Sequence, residues 1–249
     1  MTSLRGAHVL VTGASSGIGA ALATSLHASG SRLTLLGRDE ARLAKVCAGT
    51  GGEPLVVDLA DAGQRAELAA RFRSRPPDVV VHNAGIGLAG ELGCQSAQDV
   101  DRVLELNLRV PVQLTREWLP AMVARGSGHL VFVASIAGAL GVAEEAAYAA
   151  SKGGLLTFAK SLRDELAPSG IRVTTVLPGV VATPFFTRRG SSYDRRFPRP
   201  LPAARLAAAT VAAVEHDRTE VVRPRWLRLP IAVRATAPGL YAALADRFG

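Results

Sequence analysis

Tyr148 and Lys152 stand four residues apart in AAYAASKGG, residues 146–154, a spacing that puts both side chains on one face of a helix. The chain carries 29 Lys and Arg residues, and only Lys45, Lys152 and Lys160 are lysine. On a solvated face the two types serve about equally, so a lysine beside Tyr148 marks a place suited to a compact, adjustable ammonium. A phenol titrates near pH 10 when unperturbed and exchanges protons best when its pKa approaches the working pH. A cation one helical turn away acts in that direction. The plain alternative is a buried aromatic on a small-residue helix face.

A second group of residues points to phosphate binding. TGASSGIG, Thr12 to Gly19, follows the strand-like run HVLV and leads straight into a helical pattern. Glycines there tolerate positive φ and let backbone N–H groups approach a pyrophosphate at the positive end of a helix. The spacing is Gly13-x-x-x-Gly17-x-Gly19, and Gly13, Ser15, Ser16, Gly17, Ile18 and Gly19 are the expected dinucleotide contacts. The next strand, RLTLL, ends in Gly37-Arg38. An acid near this point would hold an unsubstituted ribose, whereas an arginine suits a 2′-phosphate. NADP(H) is therefore the preferred cofactor; Asp39 keeps NAD(H) open, its plain role being to cap the following helix.

These residues need a frame. Apolar runs (HVLVTG, RLTLLG, PLVVDL, DVVVHNAG, HLVFVAS, IRVTTVLPG) alternate with amphipathic helical patterns over Ile18–Ala28, Glu40–Ala48, Gly63–Phe72, Ala97–Ala124 and Ala146–Leu166. Continuous apolar strands are buried on both faces, the mark of a parallel sheet covered by helices. The expected fold class is α/β: a Rossmann-type, doubly wound, mostly parallel seven-stranded sheet with helices on both faces. After Gly179 a Pro- and Arg-rich stretch reads as a substrate lid over about residues 180–205. A helix at Ala203–Glu215, the strand EVVRP, and one amphipathic helix near Ile231–Asp246 follow, within a basic segment of about 220–249. No domain boundary interrupts residues 1–249.

Taken in order, TGASSGIG, HNAG at 82–85, Asn107, Ser135, YAASK and PGVVATP resemble the short-chain dehydrogenase/reductase family over about residues 5–187. The resemblance implies that Tyr148 is the catalytic acid/base and that Ser135 hydrogen-bonds the substrate oxygen. It implies that Lys152 binds the nicotinamide ribose and, with the oxidised nicotinamide, lowers the tyrosine pKa. Asn107 would shape its helix and a water relay. Asp58 and Leu59 would meet the adenine, Asn83, Ala84 and Gly85 would line the cofactor, and the loop Pro178 to Thr183, including Gly179 and Val181, would lie on the nicotinamide side. A helix with Ala149, Ala150, Gly153 and Gly154 commonly builds a dimer interface in this family, so a homodimer or homotetramer is expected. The family commonly has two asparagines where this chain has His82-Asn83; His82 ends a strand and is assigned a structural role.

The implied activity is reduction of a ketone or aldehyde to an alcohol, or the reverse. Phe185, Phe186 and Leu140 suggest an apolar substrate pocket, and Arg188 and Arg189 would meet an anionic group. The alternative is a regulatory protein that binds NADPH and turns nothing over, against which an intact Ser135, Tyr148 and Lys152 set argues. Cys47 and Cys94 form no disulfide framework and lack metal-ligand spacing, which fits a cytoplasmic setting. The net charge of +8 is concentrated after residue 187, without a nucleic-acid-binding motif. RPRWLRLPIAVR, Arg223 to Arg234, mixes arginines with apolar residues, leaving peripheral membrane contact as an alternative to packing within the protein.

Overall fold

The computed structural model describes residues 1–190, 193 and 198–248. Residues 191, 192 and 194–197, in the middle of the expected lid, lie outside the described residues. In chain order the strands are β1 (His8–Val11), β2 (Arg32–Gly37), β3 (Glu53–Val56), β4 (Val79–His82), β5 (Gly128–Val133), β6 (Ile171–Pro178), β7 (Val181–Ala182), β8 (Leu201–Pro202) and β9 (Glu220–Arg223). The helices are α1 (Gly17–Ala28), α2 (Glu40–Thr50), α3 (Ala62–Phe72), α4 (Ala97–Leu104), α5 (Val110–Arg125), α6 (Ile136–Leu140), α7 (Ala146–Glu165), α8 (Phe185–Arg188), α9 (Ala203–Glu215), α10 (Arg228–Thr236) and α11 (Pro238–Phe248).

Seven strands form one sheet in the order β3-β2-β1-β4-β5-β6-β9, every neighbouring pair parallel. Parallel neighbours need crossover connections, and the helices between them cover both faces. The period of two decides which side chain goes where. Val9, Val11, Leu35 and Val81 join Leu22, Leu26, Leu206 and Val211 of α1 and α9 in one core. Leu10, Leu36, Val80 and Phe132 face the other way and pack with Leu114, Trp118, Leu155 and Leu162 of α5 and α7. The strand order reverses at β1, so a crevice opens between β1 and β4 beyond the carboxyl ends of the strands.

Two helical spans differ from expectation. The span expected as one helix from Ala97 to Ala124 is α4 and α5 joined by a π turn at Glu105–Arg109. Pro111 has no N–H to return to the Asn107 carbonyl, and the helix widens where that bond is missing. The last helix, expected near Ile231–Asp246, is two, α10 and α11, parted at Ala237. Pro238 disfavours helical backbone in the residue before it. His82 is buried, its ring stacked 5.0 Å from Phe132 and its Nε2 3.1 Å from Thr115 Oγ1. Burial pulls its pKa down to about 3, so the imidazole is neutral in the core.

Candidate active site

A cavity of about 840 Å³ occupies the crevice, and hydrogen bonds behind it fix the glycine turn. Thr12 Oγ1 accepts from the backbone N–H groups of Asn83 and Ala84, while Asn83 Nδ2 donates to the carbonyls of Thr12 (2.8 Å) and Gly13 (3.2 Å). Thr12 is thus a positioning residue, inside the motif but outside the expected contacts. Gly13 and Gly17 hold positive φ, and a Cβ on Gly19 would stand 2.2 Å from the Gly13 carbonyl oxygen. Ser16, the residue before α1, does not cap the helix with its side chain. The first-turn N–H groups therefore face the cavity, a donor set suited to a pyrophosphate.

Arg38 is exposed on the cavity rim at the end of β2. Asp39 is turned away: its carboxylate accepts from Arg42 N at 3.0 Å and pairs with Arg42 Nε at 3.1 Å, capping α2. Among the described residues only the arginine of this pair lines the cavity. Asp58 and Leu59 line the same wall, where Asp58 Oδ1 accepts from Ala60 N at 2.9 Å. These features fit a dinucleotide.

At the other end, Ser135, Tyr148 and Lys152 converge from two elements. Ser135 follows β5, accepts from Ala137 N at 3.1 Å as the cap of α6, and lines the cavity with Tyr148. Tyr148 and Lys152 lie on one face of α7 and are 7% and 5% exposed. Lys152 Nζ donates to the Val133 carbonyl at 3.0 Å. Burial pushes the Tyr148 pKa up to about 12, with Glu145 raising it further and Ser135 and Arg189 opposing. Burial dominates the phenol in the chain by itself, with the Lys152 ammonium held at Val133; the expected lowering includes the charge of an oxidised nicotinamide. Burial also brings Lys152 down to about 8.

Asn107 and Gly19 do not line the cavity, unlike the other expected catalytic and cofactor-binding residues. Asn107 sits in the π turn behind it. Its Oδ1 accepts from Ile86 N at 2.9 Å, and its Nδ2 donates to Ile86 O (2.9 Å) and Ser151 Oγ (3.0 Å). The side chain ties α7 to the Gly85–Gly87 loop. Two small residues of α7 have neighbours inside the chain, a Cβ on Gly154 meeting Leu108 at 2.9 Å and Gly153 standing against Gly138 of α6, while Ala150 is exposed.

The start of the lid descends on this centre. Phe185 lies 5.6 Å from the Tyr148 ring, and Phe186 packs against both Phe185 and Tyr193. Leu140 does not line the cavity; Val142 and Ile136 do. Neither arginine expected to meet an anion lacks a partner. Arg188 Nη1 donates to Ser16 Oγ at 2.9 Å, and Arg189 Nη1 donates to Glu145 Oε1 in an ion pair whose partners are 10% and 14% exposed. Glu145, three residues before Tyr148, carries no motif signal of its own. Its importance comes from a contact 44 residues away.

Comparison with known proteins agrees with this geometry. A family model described as short chain dehydrogenase matches residues 7–194. The chain is 36% identical to dehydrogenase/reductase SDR family member 7B of Mus musculus, covering 96% of this chain and 80% of the relative. It is 33% identical to ketoacyl reductase HetN of Nostoc sp., over 89% of this chain and 80% of that protein. Among solved structures it resembles a short-chain dehydrogenase from Sphingobium yanoikuyae in complex with NADPH, at TM-score 0.84 and 29% identity, covering 98% and 96% of the two chains.

Proposed function

This chain belongs to the short chain dehydrogenase family and is an NAD(P)-dependent oxidoreductase, and from that premise we propose that it interconverts a hydrophobic ketone or aldehyde and its alcohol with NADP(H). The observation that carries the proposal is the convergence of Ser135, Tyr148 and Lys152 on one wall of the cavity whose opposite end is the glycine turn. A bound nicotinamide supplies the hydride in reduction and takes it in oxidation. The first-turn N–H groups of α1 and the Arg38 guanidinium hold the cofactor's phosphates, and Lys152 its ribose. Ser135 holds the substrate oxygen, and Tyr148 gives it a proton as charge develops there.

Support for NADP(H) comes from Arg38 on the rim with Asp39 engaged in capping, and from the NADPH complex of the Sphingobium yanoikuyae relative. Support for an uncharged, apolar substrate comes from Phe185, Phe186 and Val142 on the wall, beside an Arg189 neutralised by Glu145. The protein works as a homodimer or homotetramer.

The test is oxidation of NADPH and of NADH against a panel of ketones, aldehydes and ketoacyl thioesters. NADPH turnover with apolar ketones is expected, and Tyr148→Phe should lose about a hundredfold or more, the range of general acid catalysis. Full activity in Tyr148→Phe sinks the mechanism. Wild-type protein that binds NADPH yet oxidises none across the panel is a silent NADPH-binding regulator instead.

A further inference from the structure

A second cavity, of about 370 Å³, lies against edge strand β9 and shares no lining residue with the active-site cavity. Its floor includes Ala209 and Ala213 of α9, whose short side chains leave the space open. Its polar lining is Arg218, Arg223, Arg225 and Arg228, with Glu220 as the single acid. Four guanidiniums against one carboxylate leave a local charge of +3, and Glu220 reaches Arg228 only at 3.8 Å. Arg223 is the most enclosed of the four. Burial and repulsion from Arg225, Arg228 and Arg218 all work against its charge.

An edge strand needs one or two charges to discourage sheet pairing. It does not need four arginines gathered round one concavity. Guanidiniums stay ionised at any working pH, so this cluster is self-repelling until an anion enters, and their planar forks match phosphate oxygens. We propose that the β9–α9 cavity is a second ligand site that takes a phosphate-bearing anion. Its volume suits a phosphate group with a small ester substituent. The phosphate belongs either to a soluble ester or to a lipid headgroup.

Calorimetric titration with inorganic phosphate separates this site from the first when NADPH is saturating and sodium chloride holds the ionic strength constant. A saturable signal is expected, and Arg225→Gln/Arg228→Gln should weaken it at least tenfold while NADPH turnover stays unchanged. Arg225→Lys/Arg228→Lys, which keeps the charge without the fork, should fall between. Flotation with vesicles of phosphatidic acid in phosphatidylcholine then names the source. Co-flotation that the double glutamine variant loses assigns a lipid headgroup, and phosphate saturation without co-flotation assigns a soluble ester. No saturable phosphate binding, or equal binding in wild type and double glutamine variant, overturns the site.

Discussion

Lys152 is protonated at a cost. Its folded pKa of about 8 lies below the ordinary 10.5 because the ammonium is buried, with the Val133 carbonyl as acceptor. Below pH 8 folded and unfolded chains both carry the proton, and the full penalty applies. Between about pH 8 and 10.5 the unfolded chain holds more protons, so this group's contribution to stability rises with pH. The gap corresponds to about 3 kcal/mol at 1.36 kcal/mol per unit. Lys152→Met should therefore gain about 1 to 3 kcal/mol in urea unfolding at pH 7, less whatever the lost Val133 bond contributed, and the gain should vanish above pH 10.5. The same variant should fail to oxidise NADPH. Lower stability at pH 7 would mean that the Val133 bond outweighs desolvation. The rarity of lysine in this chain points to Lys152 from sequence alone, but its hydrogen bond to β5 depends on a fold that no local spacing encodes.

At the scale of elements, the lid and the start of α7 are joined by a part-buried ion pair. Arg189 packs 4.5 Å over the Phe186 ring and pairs with Glu145, while a Cβ on Gly87 would stand 2.7 Å from Phe185 Cζ. The two charges act on Tyr148 in opposite senses, Glu145 raising its pKa and Arg189 lowering it. Glu145→Gln should shift the alkaline titration limb of the Tyr148 phenol, followed by NMR of ring-labelled tyrosine, to lower pH, and Arg189→Gln should shift it to higher pH. Each variant leaves one charge poorly compensated, so each should lose stability by on the order of 3 kcal/mol, with the double variant losing less than the sum. Limbs that move together, or not at all, would show that the pair does not sense the phenol. Element types were legible because strand and helix periods differ so sharply here. The π turn and the α10–α11 break were signalled by Pro111 and Pro238, whereas the Glu145–Arg189 contact joins segments with no common pattern.

At the scale of the molecule, the sheet order brings residues from the ends of β1, β2, β4, β5 and β6 to one cavity. The alternation of apolar strands and amphipathic helices made that architecture legible, and the motif order located both ends of the site. The partners of the lid arginines and the β9–α9 cavity were not legible, because they arise from side chains distant in sequence. A ligand bridging so many elements should stabilise the whole fold. NADPH at a hundred times its Kd should add about 2.7 kcal/mol, or roughly 5 to 11 °C in Tm for a chain of this size. Under the proposed NADP(H) reading, Arg38 meets only the part of the cofactor that NADH lacks. In Arg38→Ala the NADPH Kd should rise about tenfold to a hundredfold, as for loss of a charged hydrogen bond, and roughly half to 85% of the Tm shift at that NADPH concentration should disappear. The NADH shift should be unaltered. Thermal unfolding of both proteins with each cofactor reads all four values, and an equal loss for NADPH and NADH, or none for either, would remove Arg38 from the 2′-phosphate.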